Sequence, residues 1–504
     1  MKLPVVSCAE MRRIEEQTFA GGVKPSSLME EVGRQIARVV SQQLARPGVA
    51  AIYYGKGHNG GDALVAARHL AMAGWGIELH PLERDLSKLA ELTGRHLATL
   101  HSGNLLSFAN RPDLNPRASV VLDGLLGLGA QGPLREDLRI MTREINVRRA
   151  EGNARVFAID LPTGLDGDTG DADPDCVVAD FTVTAGYAKS GLLADRATAY
   201  VGRLCVAALR EFEPYAPAEA TSETITPESL RGVLARRIFD SFKTQYGRIG
   251  IVAGSPGFTG AAVLCANGAL RAGAGLVTIY APEDIQPILA VAVPPEVMVR
   301  PVKTYAEVLD DNHDVLAVGP GLGKARAGEI LELIEHAQGP MVLDADGLNI
   351  VAGHDPTLLE RCAGPRLLTP HPGEMARLFP EAKGLSRHEI AMRFAARHSG
   401  ARFPITLLLK GSRTVVHEQG KPASYNTTGN PGMGTGGIGD VLTGVCAALI
   451  GQHLSPYDAA RLGSWLCGHS AEFAVKMRAE ESLAAMDVVQ SLGSAFTHLR
   501  AAWL

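Results

Sequence analysis

Eight short apolar runs, each of strand length and each emptying into a polar or glycine-rich loop, constrain this chain's fold more than any other feature. In the first half they are Val49–Tyr54, Ser119–Asp123 and Val156–Asp160. These lead into Gly55–Asp62, Gly124–Gly132 and the segment DLPTGLDGDTG that starts at Asp160. In the second half Ile249–Ala253 runs into Gly254–Gly260, Val315–Val318 into Gly319–Gly323, and Met341–Leu343 into Asp344–Asp346. Arg366–Thr369 runs into Pro370–Glu374, and Ile405–Leu409 into Lys410–Thr414. Apolar runs with helix-length spacers between them are the signature of parallel strands buried on both faces. Their polar loops then gather on the carboxyl edge of a sheet, where open α/β folds bind ligands. The expected fold class is α/β with two doubly wound domains.

With 504 residues the chain is longer than one core supports. Composition shifts at EFEPYAPAEATSE, residues 211–223, where prolines, acids and small residues lose all apolar period. The expected division is a first domain over 1–213, a linker over 214–223 and a second domain over 224–504.

The second half also contains Asn426–Gly444, NTTGNPGMGTGGIGDVLTG, with seven glycines and one carboxylate, Asp440, where a helix is predicted to begin near Gly439. Bare backbone N–H groups and a helix N-terminus suit a phosphate. An acid beside that anion fits a base that takes a proton from the attacking group, or a ligand for a metal bound to the phosphate. A plain N-cap ending a glycine-rich loop is the bland alternative. In the first half, Asn59-Gly60-Gly61-Asp62 puts an amide and an acid where a dinucleotide loop wants bare backbone. It reads as a polar-ligand or cation loop, with simple turn chemistry as its alternative.

A net charge of −5 supplies no basic field for nucleic acid. The seven scattered cysteines, never spaced C-x-x-C, argue for a reducing compartment and against structural zinc. No signal-peptide pattern and no apolar run of membrane-spanning length is present, so a cytoplasmic protein off the membrane is expected. A homo-oligomer is expected from the size of such α/β domains.

GKGHNGGDALVAARHL, DGLLGLGAQGPL and AIDLPTGLDGDTG resemble, in order and spacing, the signature loops of the NAD(P)HX epimerase family, the N-terminal domain of YjeF-type proteins. The resemblance spans about residues 1–215. It implies a Rossmann-like fold that interconverts the R and S epimers of hydrated NADH or NADPH with the help of potassium. By position Asn59, Asp123 and Thr163 match the potassium ligands. His58, Asn59, Gly60, Gly61, Asp62, Gly127, Leu128, Gly129, Ala130, Gln131, Gly132, Pro133 and Asp160 match the substrate positions. His58 stands in place of the usual asparagine, Ala63 of glycine and Thr163 of serine.

The second half resembles the ribokinase-like superfamily through Gly437-Ile-Gly-Asp440. More narrowly, through GPGLG, DADGLN, TPHPGEMARL and GNPGMGTGGIGD, it resembles the ADP/ATP-dependent NAD(P)HX dehydratase family over about residues 224–504. That implies Asp440 as catalytic base and Lys410, Gly411, Ser412, Arg413, Thr414, Asn430, Gly436, Gly437 and Gly439 around ADP or ATP. Ala261, Gly323, His371, Pro372, Gly373, Glu374, Arg377 and Asp440 are then expected around the hydrated cofactor, with magnesium on the phosphates. Gly347 replaces the usual alanine, and Ile438 a small residue, where a branched side chain in the anion loop would slow turnover while the backbone donors survive. Phosphorylating the ring hydroxyl turns a poor leaving group into a good one, which the ring nitrogen's lone pair then expels. The competing expectation is a ribokinase-like vitamin-precursor kinase carrying a non-catalytic N-terminal binding domain.

Overall fold

A computed structural model describes residues 1–44, 46–103, 118–129 and 132–503 and divides into two compact units, Met1–Ala220 and Thr221–Leu504. Strands of the first unit are β1 (Val5–Val6), β2 (Val49–Tyr54), β3 (Gly76–Pro81), β4 (Ala118–Gly124), β5 (Arg155–Ile159), β6 (Phe181–Ala185), β7 (Ala188–Lys189) and β8 (Arg203–Ala207). Six of them form a wholly parallel sheet in the order β3-β2-β4-β5-β6-β8, and β1 pairs with β7 in a separate two-residue ladder. The chain steps from β2 outward to β3 and then returns to the other side of β2 for β4. A crevice therefore opens at the carboxyl ends of β2 and β4, the switch point where such sheets place ligands. Helix Pro25–Gln43 buries Leu28, Met29, Val32, Ile36 and Val40 on one stripe. It can lie close to helix His58–Met72 because residue 33 is glycine: a Cβ there would sit 2.4 Å from Val65 Cγ1.

The second unit contains β9 (Ser222–Ile225), β10 (Arg248–Val252), β11 (Leu276–Pro282), β12 (Val297–Val302), β13 (Val315–Val318), β14 (Met341–Leu343), β15 (Arg366–Leu368), β16 (Ile405–Leu409), β17 (Val415–Glu418) and β18 (Ala423–Asn426). They form one ten-stranded sheet in the order β12-β11-β10-β13-β14-β15-β16-β17-β18-β9. It is parallel except where β17 runs antiparallel to β16 and β18. Here too the order reverses beside one strand, β10, so Gly254–Gly260 and Gly319–Gly323 flank the switch point. Helix Ile438–Gly451 is buried almost all round and lies on helix Thr259–Arg271. Two glycines, one from each helix, bring the backbones together: a Cβ on Gly444 would fall 1.9 Å from Cys265 O, and one on Gly268 2.4 Å from Val441 O. That packing fixes where the helix start, and Asp440 with it, stands over the sheet.

Two expectations need correction. The segment drawn as a linker, 214–223, is structured at both ends: a 3₁₀ turn runs through Arg210–Tyr215, and Ser222 and Glu223 already pair with Ala423 and Ser424. Nor does the Ile438 side chain lie in the anion loop. Its side chain is 8% exposed and belongs to the second unit's core. Among the described residues no helix is long and apolar enough to cross a membrane.

Candidate active sites

In the first unit the switch-point loops border a cavity of about 560 Å³. Its wall includes His58, Asn59, Asp62, Gly127, Leu128, Gly129 and Asp160. The N-terminal helix Cys8–Ala20, which none of the sequence motifs touches, adds Arg12 and Glu15. Arg12 donates to the carbonyl of Leu128 and so ties that helix to the Gly127–Gly129 loop. Ala130 and Gln131 lie outside the described residues, and Gly132 and Pro133 are exposed, away from the cavity wall. Gly60 and Gly61 are absent from the wall for a steric reason. A Cβ on Gly60 would meet Gly55 O at 2.0 Å and one on Gly61 would meet Met29 at 2.6 Å, so both are needed for close packing. Ala63 is fully buried with its methyl group directed at Gly124, which absorbs the departure from glycine.

Asp160 holds a left-handed backbone conformation, φ +65°, unusual for a residue with a side chain and typical of strain retained at functional sites. Its Oδ1 accepts from Lys189 Nζ, whose side chain is fully buried, and from Thr184 Oγ1 at 3.1 Å. Two further acids face this pair. Burial raises Glu15 to about 7, with Asp160 adding to the push and Lys189 and Arg12 opposing it. Burial, then Asp160 and Glu15, raise Asp62 well above the usual carboxylate range. A carboxyl raised to about 7, as Glu15 is, can both give and take a proton near neutrality.

Asn59, Asp123 and Thr163 meet through one hydrogen-bonded chain. Asn59 Nδ2 donates to Leu126 O at 2.7 Å, and Leu126 N–H donates to Thr163 Oγ1 at 3.2 Å. Thr163 donates from its N–H and hydroxyl to Asp123 at 2.8 and 2.7 Å, and Leu125 N–H donates to Asp123 at 3.3 Å. Asp123 is 0% exposed. These neutral donors only partly offset the cost of burial, which raises it to about 6. A buried anion with neutral partners and oxygen donors around it is the environment a hard monovalent cation relieves.

In the second unit the helix start carries the chemistry. Gly437, at φ +89°, caps helix Ile438–Gly451, and Asp440 falls in its first turn. Lys410, at the end of β16, donates to Asp344 Oδ1 at 2.6 Å and lies 3.8 Å from Glu374 Oε2. Asp344 Oδ2 also accepts from Thr443 Oγ1 at 2.8 Å, one turn along the Asp440 helix. A Cβ at Gly439 would come 3.2 Å from Lys410 Nζ, so the ammonium lies close against this backbone. Burial raises Asp440 to about 7; Asp344 and Glu374 add to this, and Lys410 opposes it. For Lys410 burial works against the charged form, but Asp344 and Glu374 outweigh it and its pKa is raised. The result is a charged lysine beside a carboxyl poised to accept a proton at neutral pH.

The flanking loops are prepared in the same way. His371 Nδ1 accepts from Gly373 N–H at 3.0 Å, which places a neutral ring's proton on Nε2, while Glu374 accepts from His371 N–H at 2.8 Å. Arg377 reaches Asn349 Oδ1 at 2.9 Å, and Gly323 N–H donates to Asp346 Oδ2 at 2.9 Å. Gly321 is pressed between Phe258 and Ala261, which brings Ala261 to the same edge. Around Lys410–Thr414, Gly411 lies against the Arg387 guanidinium, and Thr414 Oγ1 donates to Gly411 O at 3.0 Å. Arg413 is only 4% exposed, so its side chain is turned into the fold while Ser412 stays at the surface. Asn430 accepts from Gly432 N–H at 3.0 Å and caps the turn Pro431–Gly434; Pro372 and Gly436 are exposed. Among the described residues no group of three or more His, Cys, Asp or Glu is arranged to hold a metal ion.

Sequence reasoning missed Glu15 and Lys189 altogether and gave Asp344 no role. Asp344 had a signal, an acid ending a strand. Glu15 sits in an ordinary amphipathic helix and Lys189 in a two-residue strand, so neither carried one.

A family profile described as YjeF-related protein N-terminus matches residues 25–191, and another described as NAD(P)H-hydrate dehydratase matches residues 249–492. The bifunctional NAD(P)H-hydrate repair enzyme of Moorella thermoacetica is 35% identical over 97% of this chain and 96% of its own length. The enzyme of the same description from Escherichia coli is 34% identical over 87% of this chain and 83% of its own. Among solved structures, the ADP/ATP-dependent NAD(P)H-hydrate dehydratase of Bacillus subtilis, co-crystallised with ATP and Mg2+, is 28% identical with a TM-score of 0.46; the match covers 54% of this chain and 97% of that one.

Proposed function

The chain belongs to the bifunctional NAD(P)H-hydrate repair enzyme family, and on that footing we propose which unit and which residues carry each half of the repair. As a repair enzyme it epimerises hydrated NAD(P)H and, with an adenine nucleotide as co-substrate, dehydrates it back to NAD(P)H. The first unit holds the epimerase site in its cavity, and the second holds the dehydratase site at the start of helix Ile438–Gly451.

Asp440 is the dehydratase base, and the observation that carries this reading is its place in the first turn of that helix, raised to about 7 beside Lys410. It takes the proton of the ring hydroxyl as that oxygen attacks the terminal phosphate. Backbone N–H groups from Gly436 to Gly439 receive the transferred phosphoryl group, and Lys410 neutralises charge on the nucleotide. The ring nitrogen's lone pair then expels phosphate and restores the dihydropyridine. Lys410–Thr414 and Asn430–Gly439 hold the nucleotide, and magnesium arrives on its phosphates. Ala261, Gly323, Glu374, Arg377 and His371 hold the S hydrate.

In the epimerase, Asn59, Asp123 and Thr163 fit potassium by donor type and by the uncompensated charge on Asp123. When bound, the ion supplies positive charge that helps hold the substrate. Glu15 takes the proton of the ring hydroxyl as the adjacent C–N bond breaks to leave a carbonyl, with its electron pair going to the ring nitrogen, and returns a proton to the oxygen when that nitrogen closes on the other face; Asp160, held by Lys189, binds the substrate. Together the two units let both epimers be repaired when the dehydratase accepts only one.

The test is return of dihydronicotinamide absorbance when S hydrate is mixed with the chain and ADP or ATP, and none without nucleotide. A stable phosphorylated vitamin precursor, with no such return, would favour the kinase alternative.

A further inference from the structure

Behind the glycine-rich stretch runs a buried polar chain that the repair chemistry does not call for. Gly429, at φ +120°, donates its N–H to Glu472 Oε1 at 2.9 Å. The other oxygen, Oε2, is 2.7 Å from His469 Nδ1, and His469 Nε2 is 2.6 Å from His498 Nδ1. Glu472 and His469 are only 7% and 8% exposed, and the His469 ring lies 4.6 Å from the Trp465 ring and 4.8 Å from the Phe473 ring. Such a chain costs desolvation unless every member is satisfied. Here each link is short, and its far end, His498, is half-buried on helix Ala485–Ala501.

The chain's position suggests what it holds. Helix Pro456–Ala474 touches the start of the stretch repeatedly: Asn426 Nδ2 donates to Ser464 O at 3.2 Å, and a Cβ on Gly468 would meet Thr428 Oγ1 at 2.2 Å. Glu472 takes the last anchored amide, Gly429. Directly after it come Asn430, the turn Pro431–Gly434 and the helix cap at Gly437. Ordering a glycine-rich segment costs backbone entropy, so a fixed entry point lowers what nucleotide binding must supply. A carboxylate accepting that amide makes the hydrogen bond charge-assisted.

We propose that Glu472 is a positioning residue for the nucleotide, holding Gly429 so that the Asn430–Gly439 backbone stands ready for the phosphates, with His469 and His498 bracing its carboxylate. This rests on the dehydratase reading of the second unit. Glu472 touches neither substrate, so its loss acts on nucleotide affinity and leaves the chemical step intact.

The experiment uses the full chain, saturating S hydrate and varied ADP, comparing wild type with Glu472→Ala, Glu472→Gln and His498→Ala. Losing the anchor in Glu472→Ala is expected to raise the KM for ADP about tenfold, roughly 1.4 kcal/mol, with kcat within about twofold. Glu472→Gln keeps an oxygen for the Gly429 amide and is expected to recover to within about threefold of wild type. His498→Ala, half-buried and safe to truncate if Glu472→Ala does not fold, should raise the KM for ADP by a smaller factor at unchanged kcat. A fall in kcat at unchanged nucleotide KM, or no recovery with glutamine, would overturn the proposal. Wild type with no saturable dependence on ADP or ATP would instead overturn the dehydratase reading beneath it.

Discussion

Replacing Lys410 with methionine should move the pH profile of dehydration toward alkali. Lys410 Nζ lies 2.6 Å from Asp344 and 3.8 Å from Glu374, and it opposes the upward push that burial and those two acids exert on Asp440. An opposite charge at about 4–6 Å lowers a carboxyl pKa by about 1–3 units, and removing it gives that shift back. With a shift of about 1.5 units, the midpoint for Asp440 moves from about 7 to about 8.5. Because the base must be ionised, activity is lost as pH falls through the midpoint and kept above it. At about pH 7 the ionised fraction drops from about one half to about one thirtieth, a loss of about fifteenfold, while at about pH 9 the variant is within about twofold of wild type. The assay follows dihydronicotinamide absorbance from S hydrate across this range and takes kcat/KM for the hydrate at saturating nucleotide, which removes any loss of nucleotide affinity. A loss that is equal at every pH, with the midpoint unmoved, would refute the reasoning and leave Lys410 as a nucleotide ligand alone.

Three other variants probe the rest of the site. Glu15→Gln should slow equilibration of R and S hydrates by at least about a hundredfold while S dehydration is unchanged, since it removes a group raised to about 7 at the cavity wall; chiral separation of the two epimers reads it out. Asp123→Asn should abolish the dependence of epimerisation on added potassium in dialysed protein, and in wild type that dependence should weaken below about pH 6 as the carboxyl takes up a proton. Ile438→Ala should lower the second unit's stability by about 3 kcal/mol in thermal or urea unfolding, with the KM for ADP changed less than twofold, because the side chain is 8% exposed in the core.

The central strands and their loops could be read from sequence because strands buried on both faces are apolar without interruption and end at polar loops. What was not legible has specific causes. The start of strand β9 looked like linker because Ser222 and Glu223 are polar, yet both are buried: Glu223 is satisfied by Ser424 Oγ at 2.7 Å and Arg461 at 2.8 Å. A polar strand with internal partners gives no hydrophobic signal. Asp440 stood out because an acid among glycines is conspicuous, whereas Asn59, Asp123 and Thr163 were matched through the family resemblance, and in the structure these three share one hydrogen-bonded chain. Gly60 and Gly61 stood out for the same reason, but tight packing against Gly55 and Met29 produces the same letters as ligand contact. Glu15, Lys189 and Glu472 sit at positions whose neighbours are remote in sequence, and only folding brings them to a site. Ile438 looked intrusive in one dimension and turned out to be core.

The most direct test of Asp440 as the dehydratase base, in a chain with two separate sites, is Asp440→Asn in the full chain, given pure R hydrate and ADP. The expected result is equilibration of R with S at the wild-type rate and no return of dihydronicotinamide absorbance above background. Absorbance that returns at a rate near wild type, or epimerisation lost together with dehydration, would contradict it.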